Sequence, residues 1–293
     1  MKKFLFFLLK ILIISLLLAY ALDLVYTAGF LQSTERDKIG YIYNSKPQKF
    51  DVIILGSSRA ENHFVSKMFK EKGLKTFNFG MQGSRLFESD LILKLLLEKK
   101  NIIKNVIVEV DLNLRSGLSK YSDANVLKFL PYLHNSKCIN DHFEELSDHD
   151  SQFYIPFYRY MKYETKIGFR EFFLSASQKK SKVFTSDGYG ALYTSNEYLE
   201  DNLASAIPKR NKYYEEIKKI CKVNNINLIA VMTPMCENVV GMNYFDKVKK
   251  MYPEIHNYEN VVVENKYFSS CKHLNDQGAR IFTTRILKDF FNR

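Results

Sequence analysis

Three short stretches of this chain carry residues able to perform acyl-transfer chemistry. The first is Gly56-Ser57-Ser58-Arg59, directly after the apolar run Phe50-Asp51-Val52-Ile53-Ile54-Leu55. A serine on a tight strand-to-helix turn exposes its hydroxyl, and its backbone N–H can face a developing oxyanion. The second is Gly80-Met81-Gln82-Gly83-Ser84, after Thr76-Phe77-Asn78-Phe79. Glycine there lets the backbone approach a reacting atom closely. The third is Lys272-His273-Leu274-Asn275, before the last helical segment. His273 can serve as general base for Ser58, 215 positions earlier, provided both loops lie on one edge of one sheet. Each stretch also has an ordinary reading: a Gly-Ser loop, a glycine needed for a turn, a surface histidine. Arg59 stands either to hold an anionic substrate group or to pair with a carboxylate of the protein.

The elements that must position these loops follow from the apolar pattern. Short apolar runs ended by turns, at 50–55, 76–79, 105–110, 227–232 and 260–263, suit buried parallel strands. Helical patterns lie between them, at 60–71, 86–98, 209–223 and 242–251. A last helix follows His273, with Ala279, Phe282, Ile286 and Phe290 on one face and Asn275 or Asp276 as its cap. This alternation predicts an α/β fold: three layers, α/β/α, around a mostly parallel five-stranded sheet. Ligands of such sheets bind at the carboxyl ends of the strands, where all three stretches fall. Residues 112–205, rich in Tyr, Phe and charge, break the rhythm and read as an insertion into a domain spanning 49–293.

Together the three stretches resemble the SGNH (GDSL-like) hydrolase superfamily. VIILGSSRA is similar to its block I, FNFGMQGS to block II and HLNDQGARIFT to the end of block V, in the family's order across 50–111 and 208–293. The likeness is greatest to membrane-anchored bacterial members that acylate or deacylate cell-surface polymers, such as alginate O-acetylation and teichoic acid D-alanylation proteins. The resemblance implies that Ser58 is the nucleophile and His273 the base. Ser57 stands where the family commonly has Asp. The N–H groups of Ser58 and Gly83 would hold the oxyanion, with Asn113 of Asp111-Leu112-Asn113 as the block III contribution. One position departs from the pattern. The family's orienting Asp, three residues before the histidine, is here Ser270. Either a Ser–His dyad operates, or another carboxylate such as Glu264 serves, or the protein is catalytically impaired.

The N-terminus sets the expected compartment. Met1-Lys2-Lys3 precedes an apolar run over residues 4–22, interrupted by the single charge of Lys10. Nineteen residues of helix cross a hydrocarbon core of roughly 30 Å, and Lys10 can snorkel toward the Lys2/Lys3 side. Positive charge before the span favours a cytoplasmic N-terminus and an extracytoplasmic remainder. Residues 1–27 thus read as a membrane anchor and 28–48 as a polar connector. A cleavable signal peptide is the rival, since Ala19-Tyr20-Ala21 fits a cleavage site. Outside the cytoplasm disulfides are permitted. Cys236 and Cys271, each just after a strand-like segment, form a candidate pair, whereas Cys221 reads as simply buried.

With 293 residues, 46% hydrophobic and 26% charged, the chain excludes wholesale disorder. Forty-three Lys and Arg against 32 Asp and Glu leave a formal +11, which points to anionic partners. No nucleic-acid motif accompanies that charge, so no nucleic-acid partner is expected. The densest basic stretch is 159–182. His142 and His149 sit among carboxylates without a metal-ligand spacing, so no metal is expected. The aromatic stretch 153–163 reads as a sugar platform, a lipid-facing surface or ordinary core. Two functions remain open. One is an anchored extracytoplasmic serine esterase or O-acyltransferase acting on an acylated glycan, without cofactor, supplied in the transferase case by a membrane acyl-donor protein. The other is an impaired SGNH-like scaffold that binds a polysaccharide or an envelope assembly partner.

Overall fold

The computed structural model of this protein describes residues 1–194 and 198–291. Residues 195–197, within the expected insertion, lie outside the described residues, as do the last two of the expected 49–293 domain. The chain divides into two compact units, Met1–Lys46 with Val126–Ser181, and Pro47–Asn125 with Lys182–Arg293. The expected insertion at 112–205 is therefore shared: its middle belongs to the unit of the N-terminal helix, and its ends belong to the unit of the sheet.

The second unit is α/β. Its sheet contains β1 (Lys49–Leu55), β2 (Thr76–Asn78), β3 (Ile102–Glu109), β4 (Asn227–Met232) and β5 (His256–Asn257), in the order β2-β1-β3-β4-β5. All four pairings are parallel, with Ile53 beside Phe77 and Val106, Val108 beside Ala230, and Val231 beside His256. Val52 to Leu55 and Val106 to Val108 are wholly buried. This is why these strands read as continuous apolar runs rather than as alternating patterns.

The fifth strand differs from expectation. It is His256–Asn257, and the valines at 261–263 follow it in a bend. Only Val262 is buried, while Val261 and Val263 stay exposed, and the Val261 N–H closes a turn onto the Tyr258 carbonyl. β-branched composition marks a segment that suits a half-buried surface; it does not say which segment reaches the sheet edge. The helix expected over 60–71 is likewise two short helices, Ser58–His63 and Ser66–Glu71. At the break Phe64 is fully buried against Phe282, 5.2 Å between ring centroids, and the Val65 N–H is satisfied by Thr283 Oγ1 at 3.0 Å. A tertiary contact here replaces a helical turn. The helices Leu86–Glu98, Lys212–Val223 and Asn243–Met251 match their patterns. The last, Asp276–Phe291, is capped by Asn275, whose Oδ1 accepts the Gly278 N–H at 3.0 Å.

The first unit is helical. Lys2–Gln32 is one helix, long and apolar enough to cross a membrane, and its apolar side chains over residues 4–22 are exposed. Beyond them the same helix enters a packed core. Asp23 accepts from Arg159 at 2.7 Å and from the Phe157 N–H at 2.8 Å, and Tyr26 stacks on Phe172 at 4.4 Å. Residues 28–48, expected as a polar connector, hold the end of this helix and a second one, Lys38–Asn44, capped by Asp37. Phe30, Ile39 and Ile42 are buried. Phe30 stacks on Tyr160, 130 positions away, a partner that the local sequence did not reveal. The aromatic stretch 153–163 divides: Tyr160 is buried beside Phe30 and Tyr26, whereas Tyr154 and Met161 are exposed. His149 is engaged by Asn140 and Asp150 rather than by a ligand set.

Cys236 and Cys271 form a disulfide, as anticipated, 35 positions apart in sequence and with Cα atoms 4.8 Å apart. It ties the segment after β4 to the loop that carries His273. Closing a loop of this length removes denatured-state entropy worth about 3–4 kcal/mol in the chain-entropy model. The expected outcome for Cys236→Ser with Cys271→Ser is a loss of that order in a denaturant titration. An unchanged midpoint under oxidising conditions would show that the crosslink contributes nothing.

Candidate active site

β1 ends at Leu55, and Gly56 turns the chain with φ +140°, a value that side chains rarely tolerate. A Cβ at Gly56 would also meet Ala60 and Glu109 at 2.8–2.9 Å, so the turn requires glycine. The turn delivers two serines with different fates. Ser57 is buried, and Glu109 at the end of β3 accepts both its N–H (2.9 Å) and its hydroxyl (2.7 Å). Ser58 opens the helix Ser58–His63, and its Oγ lies 2.7 Å from His273 Nε2. Ser58 and His273 are half-buried, while the polar groups behind them are fully buried.

His273 is held by a short antiparallel pair, Phe268–Ser270 with His273–Leu274, which the sequence pattern had left as loop. The pair brings Ser270 Oγ to 2.8 Å from His273 Nδ1. An imidazole that accepts from Ser58 at Nε2 must carry its proton at Nδ1, and Ser270 then accepts it. The result is a chain of serine, histidine and serine. Glu264 does not reach the histidine; its carboxylate pairs with Lys266 and is more than half exposed. Among the described residues no carboxylate bonds the imidazole, and the charge balance reflects it. Burial, then the positive charges of Arg59 and Lys272, push His273 down to about 4, with Asp111 opposing.

Arg59 is not the substrate-anion contact considered above. It is 2% exposed, and its Nε and Nη2 donate to Asp111 Oδ2 at 3.2 and 3.1 Å. Its remaining N–H groups donate to the Lys272, Thr233 and Pro234 carbonyls at 2.8–3.1 Å and to Met235 Sδ. One side chain thereby joins the turn after β1, the start of the segment after β4 and the residue preceding His273. The guanidinium fork suits such a junction, since it offers several fixed donors at one charge.

Two carboxyls under this junction were not singled out from sequence. Burial works to raise Asp111, but Arg59, a bond from Glu109 and the Thr233 and Leu112 N–H groups outweigh it and hold the carboxyl below its usual range. Glu109 goes the other way. Burial first, then the neighbouring Asp111, push it up to about 8. Glu109 Oε1 has no hydrogen-bond partner among the described residues. Two acids at 109 and 111, next to a strand that is otherwise apolar, were the available signal. His63 was also missed. It is fully buried, burial lowers it well below the ordinary histidine range, and its Nε2 accepts the Leu274 N–H at 3.0 Å.

The remaining sequence-derived residues lie on the loops beside this cluster. Met81 N–H bonds the Gly56 carbonyl at 3.1 Å, so the loop after β2 starts against the Ser58 turn. Gly80 packs so closely on Ala60 and Glu61 that a Cβ would stand 2.6 Å from the Glu61 nitrogen. Gly83 lies further along with φ +75°, and a Cβ there would meet Ser122 and Asn125 at 3.8–4.0 Å. Among the described residues nothing accepts from the N–H of Ser58 or of Gly83. Asn113 is 7% exposed, its Oδ1 has no partner, and no hydrogen bond joins it to Ser58. A scan against protein-family models and a search of curated proteins found no match to this chain.

Proposed function

We propose that this protein is a membrane-anchored, extracytoplasmic serine esterase or O-acyltransferase of the SGNH type, with the three-layer α/β/α arrangement of that superfamily. The observation that carries the reading is the 2.7 Å contact between Ser58 Oγ and His273 Nε2, made by residues 215 positions apart. Ser58 attacks the carbonyl of an acyl ester while its proton passes to Nε2. The oxyanion is held by the N–H groups of Ser58 and Gly83, with Asn113 completing the set. His273 then protonates the leaving alkoxide. The acyl-enzyme is released to water in an esterase, or to a sugar hydroxyl in a transferase fed by a membrane acyl-donor protein. The substrate class is an acylated cell-surface glycan. In this reading the N-terminus is cytoplasmic and residues 28–293 are extracytoplasmic, which the lysines before the apolar helix and the disulfide support.

Labelling by a serine-directed fluorophosphonate tests the reading. The scaffold reading stands beside it on one observation, the serine at position 270, which leaves the imidazolium without a carboxylate. Folded protein that does not label at all favours the scaffold.

The pH dependence follows from the depressed histidine. Base catalysis needs neutral imidazole, so the labelling rate rises as pH increases through about 4, the value to which His273 is pushed, rather than through the usual ~6.5. In Ser270→Asp a carboxylate beside Nδ1 favours the charged imidazolium. The acid limb then moves to higher pH, and the plateau rate increases by roughly tenfold or more. Stopped labelling reactions from pH 3.5 to 8 measure both; an acid limb unmoved by the substitution would remove Ser270 from the relay.

A further inference from the structure

The sheet-bearing unit holds a second feature, which shares only Asn113 with the acyl chemistry. A recess of about 220 Å³ is lined by Arg85, Arg115, Lys120, Lys209, Arg210 and Lys212, with Asn113 in its wall and no acidic residue among its lining. Three of its polar groups are buried and unsatisfied: the Nε atoms of Arg85 and Arg115, and Oδ1 of Asn113. Burying a polar group without a partner is unfavourable, so three around one cavity mark a place that a ligand completes. The Asn113 amide offers an acceptor or, turned over, a donor.

Other features agree in sign. The helices Leu86–Glu98 and Lys212–Val223 both begin at this recess, and each presents the positive end of its dipole there. The walls are tied together: the Ser116 N–H bonds the Ile207 carbonyl at 2.8 Å, and the Lys209 N–H bonds the Leu114 carbonyl at 2.7 Å. The cations are thus held near one another before any ligand arrives. Arg210 is partly offset by Glu215 at 3.5 Å. Beneath Arg85 lies Glu88, whose carboxyl burial pushes up to about 7, so it only partly neutralises the cluster.

The recess flanks the Ser58 turn. The loop that starts on Gly56 at Met81 reaches Arg85 in four residues, a span of at most about 14 Å. Asn113 lies two residues beyond Asp111, the partner of Arg59.

We infer that this recess is an anion site that takes a phosphate group, whether or not Ser58 is a nucleophile. Two arginine forks suit a tetrahedral dianion, which accepts paired N–H bonds from each. A neutral glycan offers them no charge to pair with.

The test is calorimetric titration of the full-length, detergent-solubilised protein with sodium pyrophosphate, then with sodium polyphosphate, and with neutral dextran as control. Saturable binding of both phosphates, weakened by salt and absent for dextran, is the expected result. Arg85→Gln with Arg115→Gln lowers affinity by about tenfold or more, and Lys209→Ala, at an exposed site, lowers it less. Ser58→Ala binds as the native protein does, which separates this inference from the catalytic one. Affinity unchanged in the double arginine variant and in Lys209→Ala overturns the subsite. Absence of saturable binding of either phosphate overturns it as well. Phosphate binding in a protein that never labels with fluorophosphonate overturns the nucleophile instead.

Discussion

Ser58→Ala is expected to abolish fluorophosphonate labelling while leaving the fold intact. Its hydroxyl makes one contact, to His273 at 2.7 Å, at the half-exposed start of a helix, and alanine is at home there. The effect on ester turnover is smaller than in an enzyme with a full triad. Removing a triad serine costs on the order of 10⁶ in rate, but lacking the orienting carboxylate has already cost up to about 10⁴. The difference leaves a fall of roughly 10² or more in hydrolysis of an activated acetyl ester. Ser57→Ala is the control. Its hydroxyl is bound to Glu109, so the variant should lose some stability and keep its labelling. Labelling that persists in Ser58→Ala and disappears in Ser57→Ala would assign the nucleophile to the wrong serine.

Arg59→Leu is expected to have the largest effect on stability. The substitution leaves Asp111 as a buried charge without its cation and strips donors from three carbonyls at once. Breaking a buried pair from one side costs about 3–5 kcal/mol. For a unit of this size each kcal/mol moves the melting midpoint by about 2–4 °C, so a drop of about 10 °C is the expected scale. Arg59→Lys keeps the charge but not the fork and should fall between the two. Arg59 also lowers His273 through its charge. In Arg59→Lys, where that charge remains, the acid limb of labelling stays near its native position. In any folded Arg59→Leu sample it shifts to higher pH. A melting midpoint within a degree or two of native in Arg59→Leu would show that the junction is not what holds these loops.

The same junction explains why the site is only partly readable from the chain. Ser58, His273 and their placement after a strand and before a helix are local features, and each was visible in a window of a few residues. Whether Ser57 or Ser58 is available depends on which hydroxyl a carboxyl 52 positions away has taken. Whether Arg59 meets a substrate or the protein depends on Asp111 and on carbonyls more than 170 positions distant. Glu264 was a reasonable candidate by spacing, and it fails because its loop directs it to solvent beside Lys266.

What the sequence by itself determined is the set of elements: an apolar N-terminal helix, four of the five strands, the helices between them, and a cysteine pair. These are written in hydrophobic period and turn residues, which act over short range. Tertiary structure alone decided the rest: the true fifth strand, the unit formed by the N-terminal helix with residues 126–181, and the partners of every buried polar group around Ser58. A polar side chain in a low-dielectric interior must find a partner. The nearest one in space is set by the packed chain, not by its neighbours in sequence.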